Sequence, residues 1–541
     1  MNGLKNLINS NLVILVPILI LILIFYIVST KAYQLIAQTS PDLFIDHLII
    51  FTPSITITFL NNIISIVIAT FVAFLITNYL STRSSQKSSV LIVLIGFPHI
   101  SFCIGITYLF SSSGLFARLF STIYGYKIPQ VSSTGSLEDS LIYIICLAIR
   151  EVPFLVLIGL SVWERIQANL IKRQVSVLNH SELSGLMNCV FPIWLKSMSL
   201  PILILITFSF SNFEFSSILG PQYPSMINVK IIEAWYSSNS TTMQYLDSLV
   251  IITIFIIILA TFTLALLRNF LIHYIKKTRL FMRAYFNFQL LGKFLYIALV
   301  LLYLTVFILT FLISISKSWF FPAILPNSFS LFGWLYMLKS HSNIFFISIL
   351  ISFSISLFCL LLISFMIEYA NNTNKLFKYL FILSFTILII PQNILLIGIN
   401  EYMSNSNLIS TKIWFYFSLF IYVLPYTFFM LKQIHDNFNN QYMDNAYVLG
   451  ISKSKSLFSI KLPLISKDLL LIFGVSFAVC FYQFLQGILV TKGEELLFNN
   501  EVLVLFNGES INTASAGSLI NFIPTSVILF LIWLRYRYVK M

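Results

Sequence analysis

Charge is the scarcest feature of this sequence. Only 9% of its 541 residues are Asp, Glu, Lys or Arg, where a soluble domain carries about a quarter, and that excludes an ordinary water-soluble enzyme or adaptor. Cysteine is sparse as well. Cys103, Cys146, Cys189, Cys359 and Cys480 stand far apart, with no C-x-x-C and no Cys/His cluster. Neither a disulfide framework nor a metal site is supported, and the thiols read as small buried hydrophobes. No G-x4-G-K-S/T phosphate loop occurs, the nearest fragment, Gly450-Ile451-Ser452-Lys453-Ser454, having the wrong spacing. The chain therefore carries no ATPase of its own. There is no spaced Ser/His/Asp constellation either, so the sequence predicts a protein that is not an enzyme and needs no cofactor.

What is present is apolar length. Hydrophobic residues make up 58% of the chain, 53 of them Phe. A helix crossing the hydrocarbon needs about 20 such residues. Twelve stretches qualify, near 12–29, 54–80, 90–111, 140–161, 198–216, 248–267, 294–315, 343–367, 379–398, 413–431, 469–488 and 518–534. Continuous runs of this kind predict helices rather than the alternating strands of a barrel. The first follows Lys5 and resembles a signal peptide, but its apolar core is long and no small-x-small site follows closely. It reads as an uncleaved first span.

The net charge of +13 is not a nucleic-acid footprint. With the N-terminus cytoplasmic, the six outward loops hold 8 Lys/Arg and 11 Asp/Glu, and the remainder holds 24 and 8. This is the positive-inside distribution, and it predicts a plasma (inner) membrane protein with both termini in the cytoplasm. The densest basic stretch, Arg268, Lys276, Lys277, Arg279, Arg283 and Lys293, lies between the sixth and seventh stretches, where it would anchor against anionic lipid.

Splitting the chain into 1–267 and 268–541 gives six stretches per half, with features in the same order. Pro98-His99 with Gly105 matches Pro391-Gln392 with Gly398, Pro153 matches Pro425, and Leu200-Pro201 matches Leu462-Pro463. Six spans return the chain to its starting side, so the expectation is an all-α membrane protein of two parallel six-helix repeats about an axis along the membrane normal.

Between the tenth and eleventh stretches the chain reads Asp444-Asn445-Ala446-Tyr447-Val448-Leu449-Gly450, then nine residues, then Ile460-Lys461-Leu462-Pro463. A polar helix ending at Gly450, a turn, and a second short helix from Ser452 that stops before Pro463 account for the spacing. The pattern resembles the EAA loop, E-A-A-x3-G-x9-I-x-L-P, of the permeases of binding-protein-dependent ATP-binding-cassette (ABC) importers. Asn445 departs from the first alanine. A degenerate copy spans 182–201, with Glu182, Ser184, Asn188 at the glycine position, Met198, and Leu200-Pro201; Asn tolerates a left-handed helix end better than most residues.

Within that family the chain resembles the fused permeases of the ferric-iron and thiamine group, most of all the thiamine permeases, through Phe97-Pro98-His99-Ile100, Ile218-Leu219-Gly220-Pro221, and Phe477-Ala478-Val479 with Gln483. The resemblance implies that both loops dock on separate ATPase subunits, in two copies, and that an external solute-binding protein delivers the cargo. Glu182, Ser184, Asn188, Asp444, Ala446 and Gly450 would then be the ATPase-coupling residues. Thiamine, ferric iron and polyamine-like cargo all remain open.

Ionisable and amide groups inside spans are costly and face the bundle interior or a cavity. Arg150, Glu151, Glu214, Gln483 and Gln486 are therefore candidates for lining a route, with Glu214 and Gln483 loosely equivalent in the two halves. His99 reads as a packed, hydrogen-bonded residue beside a proline. The competing reading of the whole chain is an ion-coupled secondary transporter, which can share the twelve-span architecture.

Overall fold

The computed structural model describes residues 41–538 except 83–85, 126–136, 178–184, 238–239, 279–287, 371–373, 407–409 and 509. The expected first span, 12–29, lies outside the described residues. The protein is almost wholly helical, and the only strands among the described residues are Ser316–Ser318 and Ser328–Phe329, paired antiparallel. Nine described helices are long and apolar enough to cross a membrane, and eleven when each of two bent pairs counts as one span. All eleven remaining apolar stretches thus have a helical counterpart.

The reason is solvation. In hydrocarbon every backbone group must bond internally, and polar side chains within the spans do the same: Thr58 Oγ1 donates to the Ser54 carbonyl and Thr77 Oγ1 to the Ala73 carbonyl, each at 2.7 Å. Phe255, Ile258 and Phe262 on the Ser240–Thr278 helix are each 60% exposed. An apolar stripe of that kind belongs against lipid.

Four of the expected continuous spans are broken, among them 198–216, which is divided at Asn212 between Ser199–Ser211 and Phe213–Ile218. The 90–111 stretch is divided between Gln86–Ile95 and His99–Phe110, and the 379–398 stretch bends by 102° between Lys378–Ile389 and Gln392–Ser404. Pro98 and Pro391 sit at these breaks, lacking the N–H that would continue the helix. The 469–488 stretch ends as a helix at Phe481 and resumes at Leu485–Leu489.

The chain forms two compact units. One comprises Tyr33–Trp334 and Glu509–Leu519. In it Pro41–Leu80 packs along Leu137–Arg165, and Phe288–Ser314 packs on Pro41–Leu80 and His99–Phe110. Phe288–Ser314 opens the second sequence half yet packs here, so packing and repeat order divide the chain differently. Two glycines allow the approach. A Cβ on Gly292 would meet the Leu75 carbonyl oxygen at 2.3 Å, and one on Gly105 would meet Thr310 Oγ1 at 2.7 Å. The other unit includes Leu335–Gly508 and the chain from Ile520 onward. Its centre is the mutual packing of Ser342–Ala370, Thr411–Asn437 and Leu462–Phe481, with Phe477 and Phe481 fully buried and stacked at 5.3 Å.

The order of elements recurs in the two sequence halves. Pro41–Leu80, the pair at Pro98, Leu137–Arg165, Ala168–Val177, a π turn at Gly185–Val190, Ile227–Tyr236 and Ser240–Thr278 follow one another. Ser342–Ala370, the pair at Pro391, Thr411–Asn437, Gln441–Val448, a π turn at Leu457–Lys461, Phe498–Asn507 and Ile511–Tyr538 repeat the series. Even a capping detail repeats. Thr58 Oγ1 accepts from the Ile227 amide at 3.1 Å, and Ser348 Oγ accepts from the Phe498 amide at 2.9 Å, so each short helix is started by a hydroxyl on the long helix that opens its series.

Candidate functional site

The loop between Thr411–Asn437 and Leu462–Phe481 carries the motif. Gln441–Val448 is a short helix, and Gly450 ends it in the left-handed conformation with φ +77°. The Ile451 amide bonds the Ala446 carbonyl at 3.0 Å and the Gly450 amide bonds the Tyr447 carbonyl at 3.0 Å, which is a Schellman end. Nothing lies within 4 Å of where a Gly450 side chain would begin, so glycine is required by the backbone and not by crowding.

Around this turn the side chains divide sharply. Ala446 is 2% exposed and packs beneath, Asp444 is exposed, and Val448 and Leu449 at the tip are 87% and 78% exposed. Two large aliphatic side chains left in the open at the end of a polar helix are what a docking surface presents.

The chain after the turn differs from expectation. Residues Lys453 to Phe481 remain helical, with a π turn over Leu457–Lys461 and Pro463 in the first turn of the following α-helix. Pro463 thus opens a segment, as expected, but no helix stops before it, because the widened π turn accommodates the proline. Lys461 in that turn is buried, pairs with Glu368, and lies 5.5 Å from the Phe438 ring.

The first series moves the degenerate copy. The short helix in the matching place is Ala168–Val177, and the proline that follows the π turn is Pro192, after Phe191, which like Pro463 lies in the first turn of its helix. Thirteen residues ahead of Pro463 is Gly450, and thirteen ahead of Pro192 is Asn179. Val177-Leu178-Asn179 then falls opposite Val448-Leu449-Gly450, and Val177 is 81% exposed, close to Val448. The 182–201 register lies nine residues after this one. Asn188 lies in the π turn, half-buried, and is not left-handed: the described non-glycine residues with positive φ are Gln167 and Lys492. Leu200-Pro201 lies inside Ser199–Ser211, past the 57° bend. Glu182 and Ser184 lie outside the described residues.

With this register a second correspondence becomes exact in sequence number. Twenty residues after Pro192 is Asn212, and twenty after Pro463 is Gln483. Both stand at helix breaks. Asn212 Oδ1 accepts from the Phe215 amide at 3.2 Å, starting Phe213–Ile218, and Glu214 lies half-buried in that first turn, where a carboxylate favours the helix dipole. Asn212, not Glu214, is therefore the counterpart of Gln483.

Gln483 Oε1 accepts from Gln392 Nε2 and Gln486 Nε2, both at 2.8 Å, and Gln483 Nε2 donates to the Val479 carbonyl at 2.7 Å. Gln486 is fully buried, and its Oε1 has no hydrogen-bond partner among the described residues.

Arg150 and Glu151 are both buried. The Arg150 guanidinium donates to the Phe97 carbonyl at 3.1 Å and the Ile95 carbonyl at 3.4 Å, and lies 3.3 Å from His99 Nε2. It caps carbonyls released by the break before Pro98, a holding role. His99 packs against the Phe208 and Phe215 rings, centroids 5.8 and 6.1 Å away.

Two residues escaped the sequence reading. Asn228 Nδ2 donates to the Asn212 carbonyl at 3.1 Å, and Asn499 Nδ2 donates to the Tyr482 carbonyl at 3.0 Å. Each is the second residue of its short helix, and each lies sixteen residues after Asn212 or Gln483. That repeated interval was the available signal. Among the described residues no group of three His, Cys, Asp or Glu is placed to hold a metal. No family model and no curated protein matches the chain.

Proposed function

We propose that this chain is the permease subunit of an ABC importer, moving a small solute inward under the drive of separate ATPase subunits, with an external binding protein as donor. The observation that carries the reading is the pair of exposed tips, Val448-Leu449 beside the left-handed Gly450 and Val177 in the matching helix. A rigid turn with an aliphatic tip, set directly on a spanning helix, suits a contact that must pass a soluble partner's movement to the membrane helices. Two exposed aliphatic helix ends, at Val448 and Val177, suit a partner present in two copies.

The broken helices support a route through the interior. Discontinuous spans expose backbone and amide groups that can meet a solute at mid-membrane; Asn212 and Gln483 occupy such breaks, and Gln486 lies in the first turn after the second of them. The tips face the cytoplasm in this reading and the chain lies in the plasma (inner) membrane. Cargo of the thiamine-like or ferric-iron kind fits the resemblance, and its identity rests largely with the binding protein. The chain catalyses no reaction.

The test is cross-linking in native membranes from cysteines placed at 448 and 177, with mass identification of the captured chain, combined with uptake into vesicles. The expected capture is a protein with a phosphate loop, and uptake should require ATP. Uptake that survives ATP depletion and stops when the proton gradient is collapsed would overturn the reading in favour of an ion-coupled carrier.

A further inference from the structure

We propose that a buried lysine in each loop region is the joint that passes the loop's displacement to the spanning helix opening its series; this rests on the importer reading and names how its drive enters the bundle. The helices that flank a loop in the chain need no joint. Gln441–Val448 lies between Thr411–Asn437 and Leu462–Phe481, and Ala168–Val177 follows Leu137–Arg165, so these helices receive the movement through the backbone. Ser342–Ala370 and Pro41–Leu80 do not flank the loops.

In the second series the Lys461 ammonium pairs with Glu368, the third residue from the end of Ser342–Ala370, and lies 5.5 Å from the ring centre of Phe438, which ends Thr411–Asn437. In the first the Lys172 ammonium donates to Asn78 Oδ1 at 3.0 Å, and Asn78 is the third residue from the end of Pro41–Leu80. The ring of Trp163, near the end of Leu137–Arg165, has its centre 5.9 Å from that ammonium. Both lysines are buried. Asn78 and Glu368 stand 290 residues apart, as do Thr58 and Ser348, the hydroxyl residues that start the short helices. The lysines arrive from different places, Lys172 from the short helix and Lys461 from the π turn behind it. What repeats is the acceptor position.

Apolar contacts between helices can slide, but a buried ammonium cannot leave its acceptor without an uncompensated charge remaining in the interior. Displacement of a loop therefore carries the acceptor and its helix along. Twenty residues, about 30 Å of helix, separate Glu368 from Ser348 and Asn78 from Thr58. Ser348 holds the Phe498 amide, and the next residue, Asn499, holds the Tyr482 carbonyl at a helix break. Thr58, the Ile227 amide, Asn228 and the Asn212 carbonyl form the same line in the first series. Each line is a continuous run of hydrogen bonds and rigid helix from loop to break, the kind of connection that carries coupling.

The experiment uses the full complex of this chain with its ATPase in nanodiscs and no solute, so the identity of the cargo does not enter. A bimane label on a cysteine at 361 reports Ser342–Ala370, and one at 71 reports Pro41–Leu80; both positions are exposed, and each lies seven residues before its acceptor. Trapping the ATPase with ATP and vanadate is expected to change the fluorescence at both. Lys461→Met keeps the apolar stem and should cut the change at 361 at least fivefold while leaving that at 71. Lys172→Met should do the reverse, and cysteines at 448 and 177 should still capture the ATPase in both variants. Lys461→Arg should restore most of the response at 361, because a guanidinium also pairs with a carboxylate. A full response at 361 in folded Lys461→Met, silence at 361 in the unsubstituted complex, or equal loss at both labels in either variant overturns the joint. The two series are read separately, so a variant that fails to fold in one leaves the other to decide. If neither 448 nor 177 captures an ATPase, the importer reading itself falls, and the joint with it.

Discussion

Asn499 does in the second series what Asn228 does in the first: each is the second residue of a short helix and donates its side-chain amide to a carbonyl freed where a spanning helix breaks. At a buried break such a bond is worth more than a surface one, although the Asn212 carbonyl keeps a second donor, Ser216 Oγ at 2.8 Å. Leaving such a group unsatisfied costs about 1–3 kcal/mol. Asn499→Leu is expected to lower stability by that amount and Asn228→Leu by less, since Ser216 still serves the Asn212 carbonyl, each read as a shift in the unfolding midpoint in detergent. The residues share no partner, so the double variant should lose the sum. A midpoint unmoved in both single variants would show that the breaks are held by other groups.

Gly450 gives a backbone prediction free of packing. Its φ is +77° and a side chain there would meet nothing within 4 Å, so any loss on substitution comes from the left-handed conformation alone. Gly450→Val should cost about 1–2 kcal/mol at the turn and Gly450→Asn much less. In the importer reading, Gly450→Val membranes should keep ATP hydrolysis while losing uptake. Equal behaviour of the Val and Asn variants would remove the turn from the coupling account.

The spans were legible because lipid imposes one requirement, internal bonding of the backbone, and long apolar runs satisfy it only as helices. Gly450 was legible for a similar reason: a glycine after a polar helix is the cheapest left-handed end. The two registers of the first-half loop differ because the sequence holds two candidate prolines, and the Leu-Pro pair selects Pro201. What distinguishes Pro192 is the π turn ahead of it, and a π turn has no residue signature. Asn228 and Asn499 were missed because their bonds cross sixteen and seventeen residues, and the repeated interval that marks them needs the Pro192 register to be noticed. Arg150 stood out as a charge within a span, but its acceptors are backbone carbonyls, which a sequence does not mark.

Accessibility separates the tip from its support. Ala446 falls on the buried side of Gln441–Val448 and Val448 on the exposed side. Cysteines at 448 and 177 should react readily with a polar maleimide in membranes stripped of peripheral proteins, and a cysteine at 446 should be at least tenfold slower. Comparable rates at 446 and 448 would mean that the loop does not hold this conformation.

Arg150 should act on stability rather than on cargo. Arg150→Met keeps the apolar stem and removes donors to the Ile95 and Phe97 carbonyls, so a loss of about 1–3 kcal/mol per orphaned carbonyl is expected. Arg150→Lys should recover only part of it, since an ammonium cannot reproduce the planar fork. A variant as stable as the unsubstituted protein but unable to take up solute would instead place Arg150 on the route.

Two further route candidates, Gln486 and Glu214, separate by the sign of their effects. Gln486 is fully buried, donates to Gln483, and keeps an Oε1 with no partner. If that oxygen serves only the fold, Gln486→Leu removes an unsatisfied acceptor and should leave stability equal or raised, with uptake unchanged. In the importer reading the oxygen is completed by passing cargo or water, so the same variant should stay stable and lose at least tenfold in uptake. Glu214 is half-buried in the first turn of Phe213–Ile218, and Glu214→Gln keeps its shape while removing the charge. For a cationic cargo, uptake should fall while assembly with the ATPase persists; for a neutral or anionic cargo it should not. Normal uptake in both folded variants would move the route away from these helix breaks and leave Glu214 and Gln486 as groups that hold the bundle together.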